Sequence, residues 1–190
     1  MLDKDTNYIV SGLERSGTSM LMQILDAGGL ECIFDESREP DENNPKGYFE
    51  LEGGKIINKL IQGEFRFDKY KGKVIKITAY GLKFLPKGSY KIIYSERAIE
   101  EILDSMEKMV GTKDENRLET KKAFTSLNEM IKKQMQERED IDTLFVNYNQ
   151  ILANPDENIQ RIQQYLKIPE RKIHDMTSVV DKRLYRNRKK

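Results

Sequence analysis

Apolar residues fall along this chain in four short runs, separated by longer stretches where they recur every three or four positions. The runs lie at 8–11, 74–77, 91–94 and 143–147 and are rich in Ile, Val and Tyr. They have the length and continuity of strands buried on both faces. Between them, helical periodicity predicts helices at about 18–27, 54–62, 99–109 and 118–138. A last helix is expected near 156–166, opened by Asn154-Pro155-Asp156 and closed before Pro169. Strands alternating with helices imply an α/β fold, a three-layer α/β/α arrangement around a mainly parallel sheet. Sheets of that kind bind ligands beyond the carboxyl ends of their strands. Residues 111–116 read as a flexible joint before a long charged helix, and 35–50, rich in Asp, Glu, Asn and Pro, as an irregular surface loop.

Bulk properties narrow the function by exclusion. A length of 190 residues suits one domain, here 1–190, with a helical segment at about 110–140 and a basic tail at 181–190. The formal net charge of +1 argues against a broad nucleic-acid surface, so any basic function is local. Apolar runs are too short to span a membrane, and the polar start of the chain does not resemble a signal peptide. Cys32 is the single cysteine, which excludes an intrachain disulfide. The expectation is a cytoplasmic domain without a membrane or nucleic-acid partner.

The chemistry concentrates at the first strand-to-helix junction. Gly12 and Gly17 bracket a loop that runs from a buried strand into an amphipathic helix carrying Met20, Leu21, Ile24 and Leu25. Their spacing is that of a phosphate-binding P-loop. Unpaired N–H groups at a helix start, with the positive end of the helix dipole, favour an anion there. Thr18 and Ser19 add hydroxyl donors. Where an ATP-using P-loop has lysine after its second glycine, this chain has Thr18, and the cation sits inside the loop as Arg15. A plain turn uses the same small residues, but the flanking strand, the apolar period and the paired hydroxyls favour an anion cradle.

Residues 12–20, Gly-Leu-Glu-Arg-Ser-Gly-Thr-Ser-Met, resemble the 5′-phosphosulfate loop of the sulfotransferase family. The resemblance implies a P-loop-type α/β fold and the sulfate donor 3′-phosphoadenosine 5′-phosphosulfate (PAPS), with its product 3′-phosphoadenosine 5′-phosphate (PAP). It implies that Arg15, Ser16, Gly17, Thr18 and Ser19 hold the phosphosulfate, with no metal required. Glu14 stands where relatives usually have proline, and it is expected to turn away from the anion. The family's 3′-phosphate site is an Arg at a strand end and a Ser eight residues on, a spacing reproduced by Arg97 and Ser105. On one helix that separation is about 12 Å, so Arg97 would have to fold back to share a phosphate with Ser105. Residues 144–155 resemble the family's strand-Tyr-Glu segment, which nominates Tyr148 beside the nucleotide and leaves Asn149 where the acid usually stands. As plain structure, Tyr148 is a strand-end aromatic closing the core.

A base for the acceptor is harder to place. Many cytosolic members use the His of a Lys-Thr-His segment, but the matching stretch 74–86 has no histidine. The one histidine, His174, lies near the end of the chain. Tyrosylprotein sulfotransferases carry Glu-Glu-Thr-Arg after the loop and its helix. Asp35-Glu36-Ser37-Arg38 falls at that offset, which nominates Glu36 as base and Arg38 as its helper, with Asp35, Asp41 and Glu42 as rivals. A carboxylate serves as a base once partly desolvated. Residues 43–50 resemble a segment of small bacterial and phage-type relatives that shapes the acceptor pocket. The basic tail reads either as a solvated end or as a strap over the 3′-phosphate.

The leading expectation is therefore sulfuryl transfer from PAPS to a hydroxyl or amine. Two alternatives stand beside it. One is a P-loop nucleotide kinase or NTPase, which needs a magnesium-holding carboxylate such as Glu96. The other is a non-catalytic nucleotide-binding domain.

Overall fold

The computed structural model describes residues 2–35, 39–41, 44 and 47–181. Among these, the sheet is made of four parallel strands: β1 (Asn7–Gly12), β2 (Val74–Lys76), β3 (Tyr90–Glu96) and β4 (Ile141–Asn147), in the order β2-β1-β3-β4. All four coincide with the apolar runs to within two residues. The helices are α1 (Thr18–Ala27), α2 (Ile56–Gln62), α3 (Ile99–Val110), α4 (Arg117–Glu137), α5 (Tyr148–Ala153), α6 (Pro155–Leu166) and α7 (Ile173–Ser178).

Alternation along the strands divides the core into two layers. Ile9, Ile75, Ile92 and Tyr94 pack on one face with Leu60 of α2, Ile102 of α3, and Ile131 and Met135 of α4. Tyr8, Val10, Val74, Ile93 and Val146 pack on the other with Leu21, Ile24 and Leu25 of α1, Ile159 and Ile162 of α6, and Met176 of α7. A sheet covered on both sides explains why the strands are apolar throughout rather than alternating with polar residues. Ile92 is fully buried at the centre. Ile92→Ala is expected to cost about 2–5 kcal/mol of stability, read as a lower denaturant midpoint at unchanged slope.

Several elements depart from the sequence-based expectation. The expected helix at 54–62 is a 3-10 turn at Glu52–Gly54 followed by α2, because the backbone at Gly53 and Gly54 is left-handed. Tyr148 is not the end of a strand. β4 stops at Asn147, whose side chain caps α5 by accepting from the Gln150 N–H at 3.1 Å. The helix over 117–137 exists despite its charge because Ile131 and Met135 enter the core and the buried Tyr94 hydroxyl donates to Asn128 Oδ1 at 2.7 Å. Arg117 ties it back to Glu100, Asp104 and Glu107 of α3, bracing the 111–116 joint.

Candidate active site

The strand order places a crevice where the chain needs one. From β1 the chain moves to β2 on one side, then crosses to β3 on the other, so connections diverge beyond the carboxyl ends of β1 and β3. Gly12 and Ser95 end up side by side in the β1–β3 register. The loop after β1 and the residue after β3, Arg97, therefore share one crevice. A cavity of about 360 Å³ opens there.

The loop is built against β3 and α5. Ser95 Oγ donates to the Ser16 carbonyl at 2.7 Å, and Arg97 Nη1 donates to the Arg15 carbonyl at 3.0 Å. Gly17 has a φ of +101°, and a Cβ there would lie 2.2 Å from Tyr148 Cδ2. The Tyr148 ring thus closes the floor beneath the loop, with the Arg97 guanidinium 4.6 Å from its centre. Burial raises the Tyr148 phenol above its ordinary pKa, partly offset by the Arg97 cation.

Arg15, Gly17, Thr18, Ser19, Arg97, Ser105 and Tyr148 all line the cavity, although they come from four separate parts of the chain. Arg15 lies between Arg97 and Ser105 and touches both. Its carbonyl accepts from Arg97, and its Nε donates to Ser105 Oγ at 3.0 Å. Ser16 departs from the expectation. It is fully buried, absent from the described lining, and its hydroxyl has no partner among the described residues. Glu14 is exposed and is among the residues that line the cavity. The described lining draws nothing from 110–140; the nearest members are Lys108 and Met109 in the last turn of α3. Glu36 and Arg38 lie outside the described residues, as do Glu42 and the tail beyond Asp181. Asp35 accepts from the Glu52 N–H, and Asp41 accepts from the Tyr48 hydroxyl at 2.7 Å, so both brace the 35–52 segment. His174 is exposed on α7 and is absent from the described lining.

Sequence reasoning missed two ion pairs. Arg97 Nε and Glu101 Oε2 pair at 3.0 Å with side chains 7% and 3% exposed, and Asn149 Nδ2 donates to Glu101 Oε1 at 2.9 Å. Glu101 thus brings a carboxylate from α3, one helical turn after Arg97, to the side of Asn149. The second pair joins Lys76, 5% exposed in its side chain, to Glu50 at 3.3 Å. A lysine inside the apolar run Val-Ile-Lys-Ile was its legible signal. Lys76 Nζ also donates to the Tyr48 carbonyl and lies 3.4 Å from Ser19 Oγ.

A family model described as "Sulfotransferase domain" matches residues 5–190. The chain belongs to the sulfotransferase family. Its fold is similar to that of the sulfotransferase domain of the Synechococcus PCC 7002 olefin synthase, at 13% identity and a TM-score of 0.54, covering 100% of this chain and 90% of that one. It is also similar to mouse sulfotransferase SULT7A1 complexed with PAP, at 12% identity and a TM-score of 0.53. There the match covers 94% of this chain and 64% of the mouse chain, so the sulfotransferase domain here spans under two thirds of that relative. An unliganded sugar kinase from Janibacter sp. HTCC2649 overlaps 93% of this chain and 99% of its own at 17% identity. Its TM-score of 0.48 is too low to bear on function. No curated protein sequence matches the chain. Among the described residues, no helix of this sulfotransferase is long and apolar enough to cross a membrane.

Proposed function

We propose that the protein transfers a sulfuryl group from PAPS to a hydroxyl or amine acceptor by in-line attack. The observation that carries this is the chain of contacts Arg97–Arg15–Ser105. It joins a phosphosulfate-type loop to a second cationic site within one cavity, as a donor with separated anions requires. The cavity fits such a group. Its volume lies in the ordinary range for small-ligand sites, and Arg15, Arg97, Lys76 and Lys108 all line it.

In this proposal the Gly17 backbone, Thr18 and Ser19 hold the 5′-phosphosulfate, Ser16 shapes the loop from beneath, and Arg97 with Ser105 holds the 3′-phosphate. Tyr148 supports the nucleotide. When bound, PAPS supplies the sulfuryl group. Arg15 and Lys76 place positive charge where the leaving phosphate gains negative charge. The resemblance nominates Glu36 as the base, with Arg38 to orient it or to contact the acceptor. Residues 1–190 act as one domain, and the tail at 181–190 begins with Asp181, which lines the cavity together with Val179.

The kinase alternative loses its one nominated metal ligand, because Glu96 pairs with Lys132 of α4 and is absent from the described lining. Calorimetric titration with PAP, ADP and ATP, each with and without magnesium, tests the proposal. PAP is expected to bind independently of magnesium and at least about tenfold more tightly than ADP, a difference of about 1.4 kcal/mol. A preference for magnesium-ATP would overturn it.

A further inference from the structure

Arg97 and Ser105 by themselves give the second anion subsite little net charge. A phosphate monoester carries about 1.5–2 negative charges near neutral pH. The Arg97 cation is already matched by Glu101 at 3.0 Å, both side chains being buried. Ser105 accepts from Arg15 Nε at 3.0 Å, which leaves its own O–H to donate to a phosphate but adds no charge. Arg15 itself is shared with the 5′ end, where its charge is proposed to act on the leaving phosphate. The helix adds nothing either, because Ser105 lies in the middle of α3, where backbone N–H groups are spent within the helix. An anion held by one balanced pair, one hydroxyl and a shared arginine is under-compensated.

The missing charge stands one turn further along the same helix. Lys108 follows Ser105 by three residues and shares its face of α3. Helical side chains lean back toward the N-terminus, so a lysine at 108 reaches over the turn that carries Ser105. Both residues line the cavity, together with Met109. The acids closest to Lys108 along α3 are taken elsewhere: Arg117 pairs with Asp104 at 2.6 Å and with Glu107 at 2.8 Å. Lys108 forms no ion pair among the described residues, whereas Lys76 and Arg97 of the same lining each hold a carboxylate. A lysine in the last turn complements the helix dipole whichever way it faces. The dipole does not account for its place on the cavity wall, or for the diversion of both neighbouring acids to Arg117.

We propose that Lys108 makes the donor site specific for a 3′-phosphate, an inference that rests on the sulfuryl-transfer function above. Its ammonium supplies the charge that the Arg97–Glu101 pair does not, while the Ser105 O–H orients the phosphate. A nucleotide without a 3′-phosphate gains nothing from Lys108. The residue therefore sets the preference between the two nucleotides and leaves the grip on the 5′ end to the loop.

Calorimetry with PAP and with 5′-AMP, which lacks only the 3′-phosphate, tests this on wild type, Lys108→Ala and Lys108→Arg. Lys108 is exposed, so neither variant disturbs the core. Lys108→Ala is expected to bind PAP about tenfold more weakly, the low end for a hydrogen bond to a charged group because the site is open to salt. Its affinity for 5′-AMP should stay within about twofold of wild type. Lys108→Arg keeps the charge and should keep most of the preference, and high salt should narrow the gap between wild type and Lys108→Ala. An unchanged preference for PAP over 5′-AMP in Lys108→Ala would overturn the assignment. So would an equal loss of both nucleotides, which marks a general field effect rather than a contact with the 3′-phosphate. A wild type that binds PAP no more tightly than 5′-AMP removes the 3′-phosphate site and Lys108 with it. One that binds neither removes the sulfotransferase function itself.

Discussion

Arg97→Ala is expected to weaken PAP binding at least about 10²-fold, the range for truncating one partner of a buried, hydrogen-bonded charge pair. Three losses coincide at this residue. Its Nη1 no longer supports the Arg15 carbonyl, so the phosphate loop loses a strut from β3. Its guanidinium leaves the Tyr148 ring. Glu101, 3% exposed in its side chain, is left as a buried carboxylate with Asn149 still donating to it but its cation gone. Calorimetry with PAP measures the first consequence, and a denaturant titration of the unliganded protein separates it from the last. Arg97→Lys keeps a charge but not the planar fork, so it should fall between wild type and alanine. PAP affinity within threefold of wild type in Arg97→Ala would remove this residue from the nucleotide site.

Gly17→Ala is expected to damage both stability and binding. With φ at +101° the position is unfavourable for any residue with a Cβ, and that atom would meet Tyr148 Cδ2 at 2.2 Å. Left-handed strain costs about 1–2 kcal/mol, and overpacking against a fixed ring costs about 1–3 kcal/mol more. For a chain of this size, about 3 kcal/mol corresponds to a melting temperature lower by roughly 6–12 °C. Tyr148 is 7% exposed and opens α5. The ring therefore has little room to move, and the loop must yield instead. PAP binding should become undetectable, because the N–H groups proposed to hold the anion belong to the displaced turn. A melting temperature within about 2 °C of wild type would show that loop and ring are not locked together as described.

Strand positions were legible because a strand buried on both faces needs an unbroken apolar run, and the runs containing Ile9, Ile75, Ile92 and Val146 supply it. Helix α1 was legible to its ends because a glycine loop precedes it and Gly28 follows it. The helix expected at 54–62 was misjudged because its apolar period says nothing about the left-handed backbone at Gly53 and Gly54. α5 was hidden because it is one short segment between a strand and Pro155, too brief to show a period.

For the site, local pattern spoke only where the candidate residues lie in contiguous backbone. A strand, a glycine-bounded turn, Arg15, and hydroxyls at a helix start read as an anion cradle. The order of strands and helices likewise dictated a layered α/β fold. Tertiary structure decided which distant side chains that cradle would meet. The β1–β3 register brought Arg97 to the loop, α3 carried Glu101 to Arg97 and Ser105 to Arg15, and β2 carried Lys76 to Ser19 and Glu50. It also turned Ser16 inward, beneath the loop it belongs to. Charge pairing across such separations depends on register and packing between elements, and one sequence alone does not encode those contacts in any local period or spacing.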